Sequence, residues 1–154
     1  MEIAELFRKI YLFQGLSDQE LGLVSGITAE KEFSPGEVIF REGEVGDAFY
    51  LVLEGKVRIS KHVPGAGEEA LAILGQGDYF GEMALIDEFP RSASAIAHTD
   101  CRLLLMDKAD FAKLLSSHQE LASKLLWVFC RTLCQRLRET NEKIASLFAI
   151  AKGF

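Results

Sequence analysis

At 154 residues, 49% of them hydrophobic and eleven of them Phe, the chain has length and apolar mass for one ordinary domain with a sizeable core and a helical attachment. Its net charge of -6 and pI near 5.1 repel a phosphate backbone, which excludes bulk nucleic-acid binding but leaves room for a local basic pocket. It has no charged-then-apolar N-terminal signal pattern and no apolar run of membrane-spanning length, so a cytoplasmic chain without a membrane partner is expected.

Residues 2–27 read as helix. Ile3, Leu6, Phe7, Ile10 and Phe13 recur at helical spacing until Gly15 stops the run. Ser17-Asp18-Gln19-Glu20 then has capping-box form, with Leu21 and Val24 on the next apolar face. From about Ala29 to Met106 the pattern changes to strands and turns. Nine of the thirteen Gly lie between Gly36 and Gly81, a density that no helix interior tolerates. They punctuate short apolar runs, as in an all-β sandwich or barrel. The plainest strands are 38–40, 49–53, 57–59, 71–74 and 102–106.

Helix returns after Met106. Asp107 is a suitable N-cap for Lys108 to Leu115, and a long helix runs from about Gln119 to Ala149, on the order of 45 Å at ~1.5 Å per residue. Ala122, Leu126, Phe129, Leu133, Leu137, Thr140, Ile144 and Leu147 form one seam. Leu121, Leu125 and Val128 form a second apolar row, and Trp127, Cys130 and Cys134 a third. So wide an apolar arc calls for two partners, the helix's own domain and a second copy of the chain; one thick core contact is the alternative. The three cysteines, Cys101, Cys130 and Cys134, have no disulfide-framework spacing; Cys130 and Cys134, i,i+4 on a helical pattern, read as core packing rather than as a metal or redox pair, since no His or acidic residue stands at a helpful position nearby. His62, His98 and His118 read as a turn residue, a strand-end residue and a helix-start residue. They form no metal-ligand pattern, so no metal, cofactor or catalysis is expected.

The densest chemistry lies in Phe80-Gly81-Glu82-Met83-Ala84-Leu85, followed by Arg91-Ser92-Ala93. Gly81 lets the backbone come close to a ligand. Met83-Ala84-Leu85 reads as one helical turn whose first amides are free for an anion. Glu82 accepts hydrogen bonds from a diol, since a carboxylate set against a bare phosphate would repel it. Arg91 offers a planar fork for phosphate oxygens, Ser92 adds a hydroxyl and an amide, and Ala93 is small enough to lie against the ligand.

These two motifs resemble the phosphate-binding cassette of cyclic nucleotide-binding domains, the family of the catabolite activator protein and the regulatory subunits of cyclic-AMP-dependent protein kinase. The resemblance extends over nearly the whole chain, through residues 36–40, 46–57, 74–80 and 137–143. It implies a mainly β fold: a jelly-roll-like β-roll of eight strands (a double-stranded β-helix) with helices at both ends. The chain then divides as a single domain, residues 1–154, with N-terminal helices over 1–28, the roll over 29–106 and C-terminal helices over 107–154. The resemblance implies that Gly81 and Glu82 meet the ribose 2′-hydroxyl. Arg91, Ser92 and the amides around Ala84, between Met83 and Leu85, would meet the cyclic phosphate. Ile59, Leu71 and Leu74 would line the apolar wall, Arg136 would orient Glu82, and Thr140 and Asn141 would meet the purine edge, sometimes from a partner subunit. Thr140 also has a plain reading, a hydroxyl bonded back to its own helix.

Family members that prefer cyclic GMP often carry Thr directly after the phosphate arginine, whereas this chain has Ser92, so the reading leans to cyclic AMP over cyclic GMP. The expected function is a cyclic nucleotide receptor that signals by re-packing its C-terminal helix, possible as a homodimer, to an effector that the sequence does not identify. The 154 residues end before the helix-turn-helix domain of the bacterial activators, so no direct DNA binding is expected. A nucleotide-silent interaction domain of the same fold is the alternative, and the presence of both Glu82 and Arg91 argues against it.

Overall fold

A computed structural model describes residues 3–87 and 89–153. The chain opens with α1 (Ile3–Lys9), a 3-10 turn (Tyr11–Phe13) and α2 (Asp18–Ser25). The first helical run therefore breaks before Ile10 rather than continuing to Gly15, while Phe7, Ile10, Leu12 and Phe13 are all buried. The side chain of Ile3 lies outside the described residues. The capping box at α2 forms: Ser17 Oγ accepts from the Glu20 amide at 3.2 Å, and Glu20 accepts from the Ser17 amide at 2.9 Å. Glu20 also takes Lys124 Nζ at 2.7 Å, and that bond is the main reason its carboxyl lies below the usual range.

Eight strands follow: β1 (Thr28–Phe33), β2 (Val38–Phe40), β3 (Ala48–Glu54), β4 (Val57–Val63), β5 (Gly67–Leu74), β6 (Tyr79–Phe80), β7 (Ser94–Ala97) and β8 (Cys101–Asp107). They form two antiparallel four-stranded sheets, ordered β1-β8-β3-β6 and β2-β7-β4-β5. The expectation of a β-roll flanked by helices holds. Its short or polar strands, β1, β6 and β7, escaped the apolar pattern. β1 reads Thr-Ala-Glu-Lys-Glu-Phe and pairs only with β8 at a sheet edge, so burial imposes no alternation on it.

β3 is buried on both faces, and its period of two assigns each face to a separate core. Tyr50 and Val52 pack with Phe33, Val57, Phe80, Ala95 and Leu103 between the sheets. Phe49 and Leu51 face the helices, with Phe7, Phe111, Leu121, Leu125 and Phe129. Asp107 caps α4 (Lys108–Ser117) through the amides of Ala109 (2.8 Å) and Asp110 (3.2 Å), and α5 (Gln119–Ala151) follows directly. Among the described residues no helix is long and apolar enough to cross a membrane.

Three readings need correction. Cys130 and Cys134 are exposed, and only Cys101 is a core residue; the buried stripe of α5 runs through Leu121, Leu125 and Phe129 and turns the two cysteines outward. His62 lies within β4 rather than in a turn, because the hairpin to β5 closes later, with Val63 opposite Gly67. The single thick core contact also fails for α5, since Leu126, Trp127, Leu137, Leu147 and Phe148 stay exposed.

Phe129 joins α5 to the sheet by edge-on ring contacts with Phe49, Tyr79 and Phe111. Phe129→Ala is expected to cost about 3–5 kcal/mol in chemical denaturation. Leu137→Ala, at an exposed position of the same helix, is expected to stay within about 0.5 kcal/mol for the isolated chain.

Candidate functional site

The segment after β6 turns at Gly81, whose φ of +80° is a conformation that side-chain-bearing residues rarely adopt. Space there is equally restrictive, since a Cβ on Gly81 would lie 2.7 Å from Arg91 Nη1. One helical turn follows, α3 (Met83–Ile86), and a loop returns the chain through Pro90 to Arg91.

Arg91 is buried, with 6% of its surface exposed. Its Nη1 donates to the Gly81 carbonyl at 3.0 Å and its Nη2 to the Ala48 carbonyl at 2.6 Å. Its guanidinium carbon sits 4.0 Å from the centre of the Phe40 ring, and Phe40 packs in turn on Tyr50 and Phe80. Burial pulls the arginine's pKa downward, yet a guanidinium keeps its charge in such settings. The backbone is fixed as well: Arg91 N donates to Glu44 O at 2.8 Å, and Gly43 N donates to Arg91 O at 2.9 Å.

Glu82 is also buried, at 2% exposure. Its Oε1 accepts from Arg136 Nη1 of α5, and Arg136 Nη2 reaches the Tyr79 carbonyl at 3.2 Å. α5 is thereby tied to the segment that carries Gly81 and Glu82.

The two groups open onto one cavity of about 540 Å³. Its walls include Phe40, Ile59, Leu71 and Leu74, and α5 closes it with Arg136, Glu139, Thr140 and Lys143. Leu71 is the extra residue of a β-bulge, since Ile59 pairs with Ala72 and Ser60 with Ala70; bulges commonly re-aim side chains beside sites. Chemically, the cavity presents a buried cation, a buried carboxylate and an apolar wall. Among the described residues no cluster of three or more metal-ligating side chains occurs.

Comparison with known proteins decides the family. The family model described as cyclic nucleotide-binding domain matches residues 30–118, more than half of the chain. The chain belongs to the cyclic nucleotide-binding domain family. It is 33% identical over 143 residues to the CRP-like cAMP-activated global transcriptional regulator of Mycobacterium tuberculosis, covering 93% of this chain and 62% of that one. It is 39% identical over 130 residues to the cyclic AMP receptor protein of Thermus thermophilus, covering 84% and 58%. It thus spans about three-fifths of the length of these curated relatives. Among solved structures, a cyclic nucleotide-binding domain from Methylobacillus flagellatus matches with a TM-score of 0.83 at 30% identity, covering 94% of this chain and 81% of that one.

Within this cyclic nucleotide-binding domain, Gly81, Glu82, Ala84, Arg91, Ser92, Ala93, Ile59, Leu71, Leu74, Arg136 and Thr140 all line the one cavity. The side chains of Met83 and Leu85 lie outside the described residues. Two expectations change. The Ala84 amide is not free: it closes its own turn on the Gly81 carbonyl at 3.3 Å. Asn141 does not line this chain's cavity and is exposed, because one step beyond Thr140 turns a helical side chain by about 100°. Phe40, Phe89, Glu139 and Lys143 line the cavity without having been singled out. Phe40 had no local signal, since its role depends on stacking with a residue from the far end of the roll; Glu139 and Lys143 could have been found from their i+3 and i+7 spacing from Arg136.

Gly46 tests how tightly this site is built. A Cβ there would fall 2.3 Å from Ala84 Cβ and 3.1 Å from Arg91 Cζ. Gly46→Ala is expected to lower stability by about 1–3 kcal/mol in denaturant melts, through overpacking of α3 against Arg91.

Proposed function

We propose that residues 1–154 act as one receptor domain that binds a cyclic nucleotide, prefers cyclic AMP, and signals by re-packing α5. One observation carries the reading: a buried arginine and a buried carboxylate face the same cavity from a single short segment. A buried charge needs compensation. Arg91 spends two of its five donors on backbone carbonyls, which leaves three for phosphate oxygens. Ser92 adds its hydroxyl beside it. Glu82 engages Arg136 through Oε1, which leaves Oε2 to accept from a ribose 2′-hydroxyl approaching past Gly81. Ile59, Leu71 and Leu74 offer the base and sugar an apolar wall.

Thr140 supports adenine. Its hydroxyl donates to the Arg136 carbonyl at 2.8 Å, so toward the cavity it can only accept. Against a purine that turns its 6-position to Thr140, an acceptor suits the adenine amine and leaves the guanine O6 without a donor. The Thermus relative is described as a cyclic AMP receptor, and the regulatory domain of Toxoplasma gondii PKA, solved with cAMP, matches at 36% identity and a TM-score of 0.69; both support the same preference.

Signalling follows from the ties of α5. Arg136 holds the helix to Glu82, so a ligand that takes up Glu82 and Thr140 biases how the helix packs, which is a two-state element under ligand control. The exposed face of Leu126, Leu137, Ile144, Leu147 and Phe148 suits a second copy of α5. The Asn141 side chain, absent from its own chain's cavity, is then free to contact the other copy. A downstream effector reads the change. The proposed role is that of a receptor.

Calorimetric titration of ligand-free protein is expected to give saturable binding, tighter for cyclic AMP. Arg91→Ala is expected to weaken it by one charge-assisted contact at least, about 1.5–3 kcal/mol. Absence of binding by folded wild-type protein to either nucleotide would sink the proposal. Thr140→Val should reduce the preference for cyclic AMP by roughly the value of one hydrogen bond, about 1 kcal/mol; an unchanged ratio removes Thr140 from the specificity argument. Replacing both Leu137 and Phe148 with Ser should shift sedimentation toward monomer, and an unchanged profile would exclude this face as the contact.

A further inference from the structure

The loop that carries Ser92 is held from outside the cavity by a pair of side chains with no part in the site described so far. β4 places Val57, Ile59 and Lys61 on one face. Val57 is core and Ile59 lines the cavity, so Lys61 continues that row past the cavity's edge. Its Nζ donates to the Ser92 carbonyl at 2.7 Å and to Glu42 Oε1 at 2.9 Å. Glu42 Oε2 in turn accepts from the His62 amide at 3.4 Å, and the Glu42 amide donates to Ser94 Oγ at 2.9 Å. Two further bonds already lash this loop to Arg91, Gly43 N to Arg91 O and Arg91 N to Glu44 O. Lys61 is thus where the loop after β2, the loop before β7 and the strand between them meet. The Glu42 carboxyl lies below its usual range chiefly because Lys61 hydrogen-bonds it, which keeps that carboxylate ionised near neutrality.

We infer that Lys61 and Glu42 form a strap that positions Ser92 and Ala93 for the phosphate, and so are positioning residues for nucleotide binding. The inference rests on the receptor reading above. A peptide unit is planar, so fixing the Ser92 carbonyl fixes the Ala93 amide on its opposite side. Among the described residues the Ser92 hydroxyl has no hydrogen-bond partner, so the backbone that Lys61 holds sets the few directions its staggered rotamers can reach. Without the strap, Ser92 is an exposed loop residue free to sample several orientations, and a ligand must then supply the ordering cost.

The strap and a simple charge effect predict opposite signs for one variant, and that decides the test. Cyclic nucleotide affinity of the full chain is measured for wild type, Lys61→Met, Lys61→Arg and Glu42→Met, with melting of the ligand-free proteins as the folding control. Each is also measured with the two diastereomeric phosphorothioate analogues, which differ only in which exocyclic oxygen is replaced. Lys61→Met is expected to weaken binding roughly tenfold, and Glu42→Met to weaken it in the same direction. Both should change the ratio between the diastereomers, and Lys61→Arg should restore most of the affinity and the wild-type ratio. If Lys61 acts only as a distant positive charge, Glu42→Met tightens binding instead and neither variant moves the ratio; that result overturns the inference. Unchanged affinity in both Met variants of a binding wild type overturns it as well, while leaving the receptor reading intact. A wild type that binds neither nucleotide overturns both.

Discussion

The site depends on keeping one guanidinium out of water. A buried charge is tolerated only where fixed dipoles replace its hydration. Arg91 finds them in the carbonyls of Gly81 and Ala48 and in the face of Phe40, and each comes from a different part of the roll. This requirement explains the glycines around it. Gly81 must adopt a positive φ and carry no Cβ, and Gly46 must leave room for Ala84, or Arg91 loses its seat. The motif is therefore a packing solution as much as a ligand-binding one.

β3 connects that solution to the rest of the molecule. Tyr50 on one face packs with Phe40 and Phe80 beneath Arg91, while Phe49 on the other packs with Phe111 and Phe129 beneath the helices. The arginine seat and the α5 dock are thus opposite sides of one strand. Arg136 ties them a second time, through Glu82. α5 consequently has its first turns fixed by Leu121, Leu125 and Phe129, a middle turn held to the site by an ion pair, and a distal part whose apolar residues remain exposed. A helix anchored at one end and tied to a ligand-facing carboxylate is mechanically suited to report occupancy, which is the role proposed for it.

The family and the chain's own residues contribute different things to the functional reading. Membership of the cyclic nucleotide-binding domain family rests on the match over residues 30–118. The proposed preference for adenine rests on the donor already spent by Thr140, and the proposed strap rests on the two bonds of Lys61, to Glu42 and to the Ser92 carbonyl. Family likeness identifies the pocket's class; the hydrogen-bond inventory of individual side chains carries the proposals about its selectivity and stiffness.

Local patterning determined much of this protein by itself. Glycine density marked the roll, the capping box and Asp107 marked helix starts, and a short motif placed Glu82 and Arg91 together, because each of these signals acts within a few residues. Strand β1 was not legible, since an exposed edge strand is under no pressure to alternate, and neither was the outward turn of Cys130 and Cys134, which depends on which face of a broadly apolar helix the domain selects. Phe40 and Lys61 were silent for the same reason: their partners, Arg91 and Ser92, are remote in the chain. Only the closed roll decided that Arg91 is buried rather than solvated and that Asn141 faces away from its own cavity, because burial and facing belong to long-range contacts that no stretch of sequence contains alone.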